Sequence, residues 1–219
     1  MTETMFDERC ARCKRLAGYL QQVRTERPEY YCKPVTSFGD TKAVLLIVGL
    51  APGKHGANAT GRPFTGDYAG ILLYEMLYRF GFSSCPLSRT RSDGLQLNRC
   101  RITNAVKCLP PDNRPLTSEI VNCNAYLASE LGVMPTGGVV LALGTIAHNA
   151  VLRALNLKQS QFRFSHAGHH VLPNGLQLLD SYHCSRYNLQ TRRLTSEMFE
   201  VVFQTVSFLV RDIQEDESI

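Results

Sequence analysis

Val44-Leu-Leu-Ile-Val-Gly-Leu50, followed at once by Ala51-Pro-Gly-Lys-His-Gly-Ala-Asn58, is a short apolar run that empties into a glycine-rich loop. A run of this length, β-branched and bounded by glycine, suits a strand buried on both faces of a parallel sheet. Three more runs share the pattern: Ile102–Lys107, Gly138–Leu143 and Leu176–Tyr182. Helical periods lie between and after them, over Gly70–Phe80, Thr117–Leu131, Thr145–Leu155 and Ser196–Val210. Strands alternating with helices predict an α/β domain with helices on both faces of the sheet. We expect one domain over residues 1–212. Residues 1–40 form a lead-in, helical around Lys14–Val23, and an acidic, frayed tail starts near Asp212 and fills 213–219. In open parallel sheets, ligands bind beyond the carboxyl ends of the strands. The four runs carry to that rim the glycine loop with Thr60-Gly-Arg-Pro-Phe-Thr-Gly-Asp67, then Asn104, Gly144-Thr145 and His183.

The composition agrees with a folded enzyme or binding domain. The chain has 219 residues, and 44% of them are hydrophobic, enough for a real core. A net charge of +5 favours an anionic partner, nucleic acid being the commonest. The start of the chain lacks a basic segment leading into an apolar run, and no stretch approaches a membrane span, so we expect a cytoplasmic protein that does not enter membranes. In a reducing compartment, eight cysteines point to metal ligation rather than disulfides. Cys10 and Cys13 form a C-x-x-C pair, while Cys108 and Cys123 form a wider one. Together they can close a four-thiolate site, for which zinc and an iron–sulfur cluster are both candidates by spacing. Cys32 is the best substitute ligand. Burial accounts at least as well for Cys85, Cys100 and Cys184.

The glycine loop is not a phosphate loop. Only three residues separate Gly49 from Gly53, and His55 follows Lys54 where Ser or Thr would be needed. Its glycines imply instead a backbone that passes close to something. The last constellation is Ser181-Tyr-His-Cys-Ser-Arg-Tyr-Asn188, followed by Thr191-Arg-Arg193, where arginines could meet phosphates. His166, His169 and His170 surround a turn expected at Pro173-Asn174-Gly175, and a DNA-facing or structural role suits them better than a metal site.

Three motifs in order, Gly49-Leu-Ala-Pro-Gly with Thr65-Gly-Asp67, Asn104-Ala-Val-Lys-Cys-Leu-Pro-Pro-Asp-Asn-Arg-Pro115, and Ser181-Tyr-His-Cys-Ser with Arg193-Leu-Thr195, resemble the family 5 (type B) uracil-DNA glycosylases. The resemblance runs from Cys10 to about Phe203. It implies a three-layer α/β/α sandwich around a four-stranded parallel sheet, and a 4Fe–4S cluster on Cys10, Cys13, Cys108 and Cys123. It also implies an enzyme that removes uracil from DNA after flipping the nucleotide into a pocket; we expect it to be a monomer. Gly49, Ala51 and Gly53 would then approach the base, Phe64 would stack on it, and Asn104 would read its edge. His183 would donate to the leaving uracil. Asp67 would orient water or stabilise the sugar cation. Lys54, His55, Asn58, Arg62, Arg186, Asn188, Arg192 and Arg193 would face the DNA. Two positions depart from the family pattern. Gly53 stands where Ala is frequent, and Cys184 where Pro or an apolar residue is common. The related family 4 usually carries an acidic residue where Leu50 and Ala51 stand, which leaves Asp67 as the expected catalytic carboxylate.

Overall fold

A computed structural model describes residues 6–216. Its elements, in chain order, are α1 (Lys14–Glu26), β1 (Phe38–Gly39), β2 (Leu45–Gly49), α2 (Ala57–Thr60), α3 (Tyr68–Arg79), β3 (Cys100–Asn104), α4 (Thr117–Gly132), β4 (Val139–Leu143), α5 (Thr145–Ala154), β5 (His169–Val171), β6 (Gln177–Ser181), α6 (Arg186–Gln190) and α7 (Ser196–Asp216). The four strands expected from the apolar runs pair in parallel as β3-β2-β4-β6. Alternation along β2 sorts the two cores. Leu45 and Ile47 pack with α3 and α7, while Leu46 and Val48 pack with α1, α4 and α5. This is the three-layer sandwich.

Three expectations need correction. The sheet has six strands, because β1 and β5 add antiparallel edges to β3 and β6. The second apolar run is a strand over Cys100–Asn104, not over Ile102–Lys107. The amides of Ala105 and Val106 still bond to the carbonyls of Gly49 and Leu50, at 2.9 and 3.0 Å, after which the chain leaves the sheet. That register sets Asn104 opposite Gly49 at the strand ends. Finally, the expected acidic tail is helical through Asp216. Ile213 continues the apolar stripe of α7 and packs on the core, which carries the helix past Asp212. Residues 217–219, the end of that expected tail, lie outside the described residues. The lead-in helix is present as α1, seated by Leu16, Leu20 and Val23.

Candidate functional site

The ends of β2, β3 and β6 and the start of α3 enclose a cavity of about 360 Å³. Its walls include Leu50, Ala51, Gly53, Phe64, Asp67, Asn104 and His183. Gly49 is required by close approach. A Cβ there would lie 2.7 Å from the Phe64 ring and would collide with the Asn104 carbonyl oxygen. Phe64 is buried in a left-handed conformation (φ 52°), and its ring stacks on His183, with centroids 5.8 Å apart and 27° between planes. Asn104 is buried, and among the described residues its side-chain amide makes no hydrogen bond. Donor and acceptor are therefore both available to a ligand.

Asp67 is the N-cap of α3. One carboxylate oxygen accepts from the Gly70 amide at 3.0 Å. The side chain lies against Gly56, where an added Cβ would come within 2.8 Å of its own Cβ. Burial raises the Asp67 pKa, and the Gly70 and Ala69 amides oppose that rise. His183 follows β6. Burial pushes its pKa down to about 4, so the imidazole is neutral near pH 7. Two contacts fix its segment: the Cys184 thiol donates to the Ala69 carbonyl at 3.3 Å, and the Asn188 amide donates to the His183 carbonyl at 2.8 Å. Cys184 thereby ties the histidine segment to the same helix that Asp67 caps.

The expected DNA-facing residues divide. Arg186, Arg192 and Arg193 are exposed, and His55 is exposed beside Tyr30, whose hydroxyl lies 2.8 Å from its Nδ1. Lys54 is half-buried and pairs with Glu26 at 3.2 Å. Asn188 serves the His183 carbonyl and lines a second hollow. Two expectations fail. Arg62 is turned inward, bonded to Asp93 at 2.7 Å, Ser88 at 2.9 Å and the Arg91 carbonyl at 2.7 Å, with its guanidinium over Phe38. It braces the 88–93 loop. Asn58 is fully buried, its amide directed to the Cys32 sulfur and the Lys54 carbonyl. Neither can meet a phosphate. Tyr68, Asn113 and Ser185 line the cavity although sequence reasoning passed over them. Asn113 and Ser185 lie inside quoted motifs without having been given a role, and Tyr68 directly follows Asp67, which was the available signal.

Cys13 caps α1, Cys108 follows β3 and Cys123 lies on α4. Burial raises the pKa of the Cys108 thiol most, and Cys123, Cys10 and Cys13 each raise it further, so the four sulfurs share one neighbourhood. Cys32 is buried elsewhere, against Asn58. Among the described residues, the three-residue set whose ligand atoms lie within 4.8 Å of one another is His148, His170 and Asp180, not the thiols. A single tetrahedral zinc would draw its four sulfurs to about 3.8 Å from one another, given Zn–S near 2.3 Å. Four thiols are equally the donor set of an iron–sulfur cluster. The histidine set already has hydrogen-bond partners: His148 Nε2 donates to the Phe162 carbonyl at 2.9 Å, and His170 Nε2 to the Arg163 carbonyl at 3.2 Å. His148 Nδ1 lies 2.8 Å from Asp180. This latch ties the 162–170 strap to β6. The turn at Pro173-Asn174-Gly175 is present, with Gly175 at φ 85°.

The model of the "Uracil DNA glycosylase superfamily" matches residues 36–207. A type-5 uracil-DNA glycosylase of Thermus thermophilus is 46% identical over 195 residues, covering 87% of this chain and 89% of that protein. One from Pyrobaculum aerophilum is 41% identical over 199 residues, covering 89% and 86%. A type-4 uracil-DNA glycosylase from the same organism is 37% identical, but over 128 residues, 58% of this chain and 57% of that protein. With the family model spanning most of the chain and the type-5 relatives matching nearly end to end, the chain belongs to the type-5 family of the uracil-DNA glycosylase superfamily.

Proposed function

We propose that the protein hydrolyses the N-glycosidic bond of uracil in DNA by flipping the nucleotide, and leaves an abasic site. The observation that carries this reading is the cavity of about 360 Å³ in which Asn104, Phe64, His183 and Asp67 meet. A flipped base enters it and stacks on Phe64. Asn104 donates to one uracil edge atom and accepts from another. Cytosine offers the reverse pattern there. Bond cleavage sends negative charge onto uracil, and neutral His183 stabilises it by donating a hydrogen bond. Asp67, held by the Gly70 amide, faces the sugar side, where its carboxylate orients water or offsets the positive sugar. Lys54, His55, Arg186, Arg192 and Arg193 form the phosphate-facing rim of a monomer on DNA.

Cys10, Cys13, Cys108 and Cys123 would hold a 4Fe–4S cluster, whose contribution is to crosslink the lead-in, the β3 exit and α4. Among the described residues, no helix is long and apolar enough to cross a membrane. The deciding experiment incubates the protein with a uracil-containing oligonucleotide and then cleaves abasic sites with alkali. Strand breaks at the uracil are expected. Binding without breaks would leave a non-catalytic nucleic-acid module.

A further inference from the structure

A second hollow, of about 280 Å³, lies beyond His183 and shares Leu50 and His183 with the first. Its remaining walls include Phe164, Tyr182, Asn188 and Arg193. The Tyr182 ring organises it. His166 stacks on that ring, with centroids 5.0 Å apart and planes 13° from parallel, and the Arg193 guanidinium lies 4.6 Å from its centroid. Phe164 backs the ring at 6.1 Å. The Tyr182 amide donates to His166 Nδ1 at 3.3 Å, which selects the neutral tautomer with its proton on Nε2. A neutral ring is compatible with the nearby guanidinium. The 162–170 strap that presents His166 is itself held by the His148–Asp180 latch. Among the described residues, Arg193 has no carboxylate partner, and it is exposed. A planar cation held on an aromatic ring, facing solvent and unpaired, suits a phosphate.

We propose that this hollow is a second subsite, which takes the backbone phosphate adjoining the flipped nucleotide, with Arg193 as the phosphate ligand and Tyr182 as its positioning residue. The assignment rests on the uracil-excising reading and deepens it. Leu50 and His183 line both hollows, so a phosphate seated here adjoins a base seated there. Tyr182 acts through Arg193. It should be replaceable by another flat ring but not by an aliphatic chain.

The test uses the full-length protein and uracil oligonucleotides in which single phosphates flanking the uracil are replaced by uncharged methylphosphonates. Single-turnover excision gives a half-saturating concentration and a limiting rate for each. For the wild type, one linkage should raise the half-saturating concentration about tenfold, as expected for loss of one charged hydrogen-bonding partner. Arg193→Ala and Tyr182→Leu should each weaken binding to unmodified DNA and become insensitive at that linkage. Tyr182→Phe should keep the sensitivity. In each variant the loss should fall on half-saturation more than on the limiting rate. A variant with Arg193→Ala that keeps the wild-type linkage profile would overturn the subsite. A Tyr182→Leu protein that loses excision but keeps its linkage sensitivity would overturn the positioning role. Failure of the wild type to excise uracil at all would instead overturn the underlying activity, a separate outcome.

Discussion

Asp67 uses one carboxylate oxygen to cap α3, and the residue also lines the cavity. The two roles separate under one substitution. Asparagine caps helices as well as aspartate does, so Asp67→Asn should leave the melting temperature nearly unchanged. It should still slow single-turnover excision by at least ~10²-fold, the lower range for a positioned acid–base group. Binding to uracil DNA should hold or tighten, because an interaction made only in the transition state has gone along with one negative charge. Excision within threefold of wild type would move the chemistry elsewhere. His183 makes a prediction about pH. With its pKa lowered to about 4 by burial, it stays neutral through the ordinary histidine range. The rate should therefore show no inflection near 6.5 from this residue, and should fall only as pH drops toward about 4 and toward the raised value of Asp67. A pH–rate profile at saturating enzyme reads this directly, and a limb centred at 6.5 that vanishes in His183→Gln would contradict it. At this scale the motifs singled out Asn104, Phe64, Asp67 and His183, which the fold brings to one cavity. It misled at Arg62 and Asn58. Polar side chains in a glycine loop look ligand-facing, and the partners that bury these two, Asp93 and Cys32, lie 31 and 26 residues away.

Elements were legible in proportion to how much apolar surface they bury. The four parallel strands are continuous apolar runs because both faces are covered. β1 has two residues, and β5 is the half-exposed His169-His170-Val171, so neither carries a pattern strong enough to read. The latch between α5 and β6 was hidden for a related reason, since His148 and Asp180 sit 32 residues apart and look like isolated polar residues. Its partners favour the charged form. His148 Nε2 donates to a carbonyl, which can only accept, so the 2.8 Å contact between Nδ1 and Asp180 holds a second proton, shared between imidazole and carboxyl. Burial lowers the His148 pKa, but the Asp180 hydrogen bond and charge outweigh it, and the net shift is upward from 6.5. A histidine whose folded value is raised stabilises fully below the unfolded value and loses that contribution as pH rises through the folded one. Asp180, raised chiefly by burial, works in the same direction at lower pH. Thermal stability should therefore decline as pH climbs above 6.5, and His148→Gln should flatten that decline while costing about 3 kcal/mol at pH 6, as when one partner of a buried pair is lost. Denaturant melts at several pH values measure both. A wild-type curve that is flat or rising over this window would refute the charged latch.

The whole molecule is a mostly parallel sheet with its reaction site at one rim and Cys10, Cys13, Cys108 and Cys123 gathered beside α1 and α4, while Cys100 and Cys184 pack in the opposite core. The first four come from three places: the lead-in before α1, the exit of β3, and α4. Near them the Lys107 ammonium is buried, bonded to Thr103 and paired with Glu130 at 3.1 Å; burial raises the Cys123 pKa, and the Lys107 backbone amide and then its charge oppose that rise. A fixed buried cation beside Cys123 favours the charged, ligating form of that thiol. Cys108 also begins the Cys-Leu-Pro-Pro segment that leads to Asn113 in the wall of the base cavity, so the cysteine site and the reaction site share one stretch of chain. Crosslinking Cys10 to Cys108 closes a loop of nearly a hundred residues, for which the chain-entropy estimate is about 4.7 kcal/mol. Protein purified without oxygen should be brown and contain iron with acid-labile sulfide. Cys108→Ala should lose the colour and a comparable share of stability together, by iron analysis and denaturant melts. Cys32→Ala, a change in a buried thiol outside the set, should keep the colour even if it destabilises. Stoichiometric zinc without iron would assign the site to a single ion, and colour retained in Cys108→Ala would remove that residue from the ligand set.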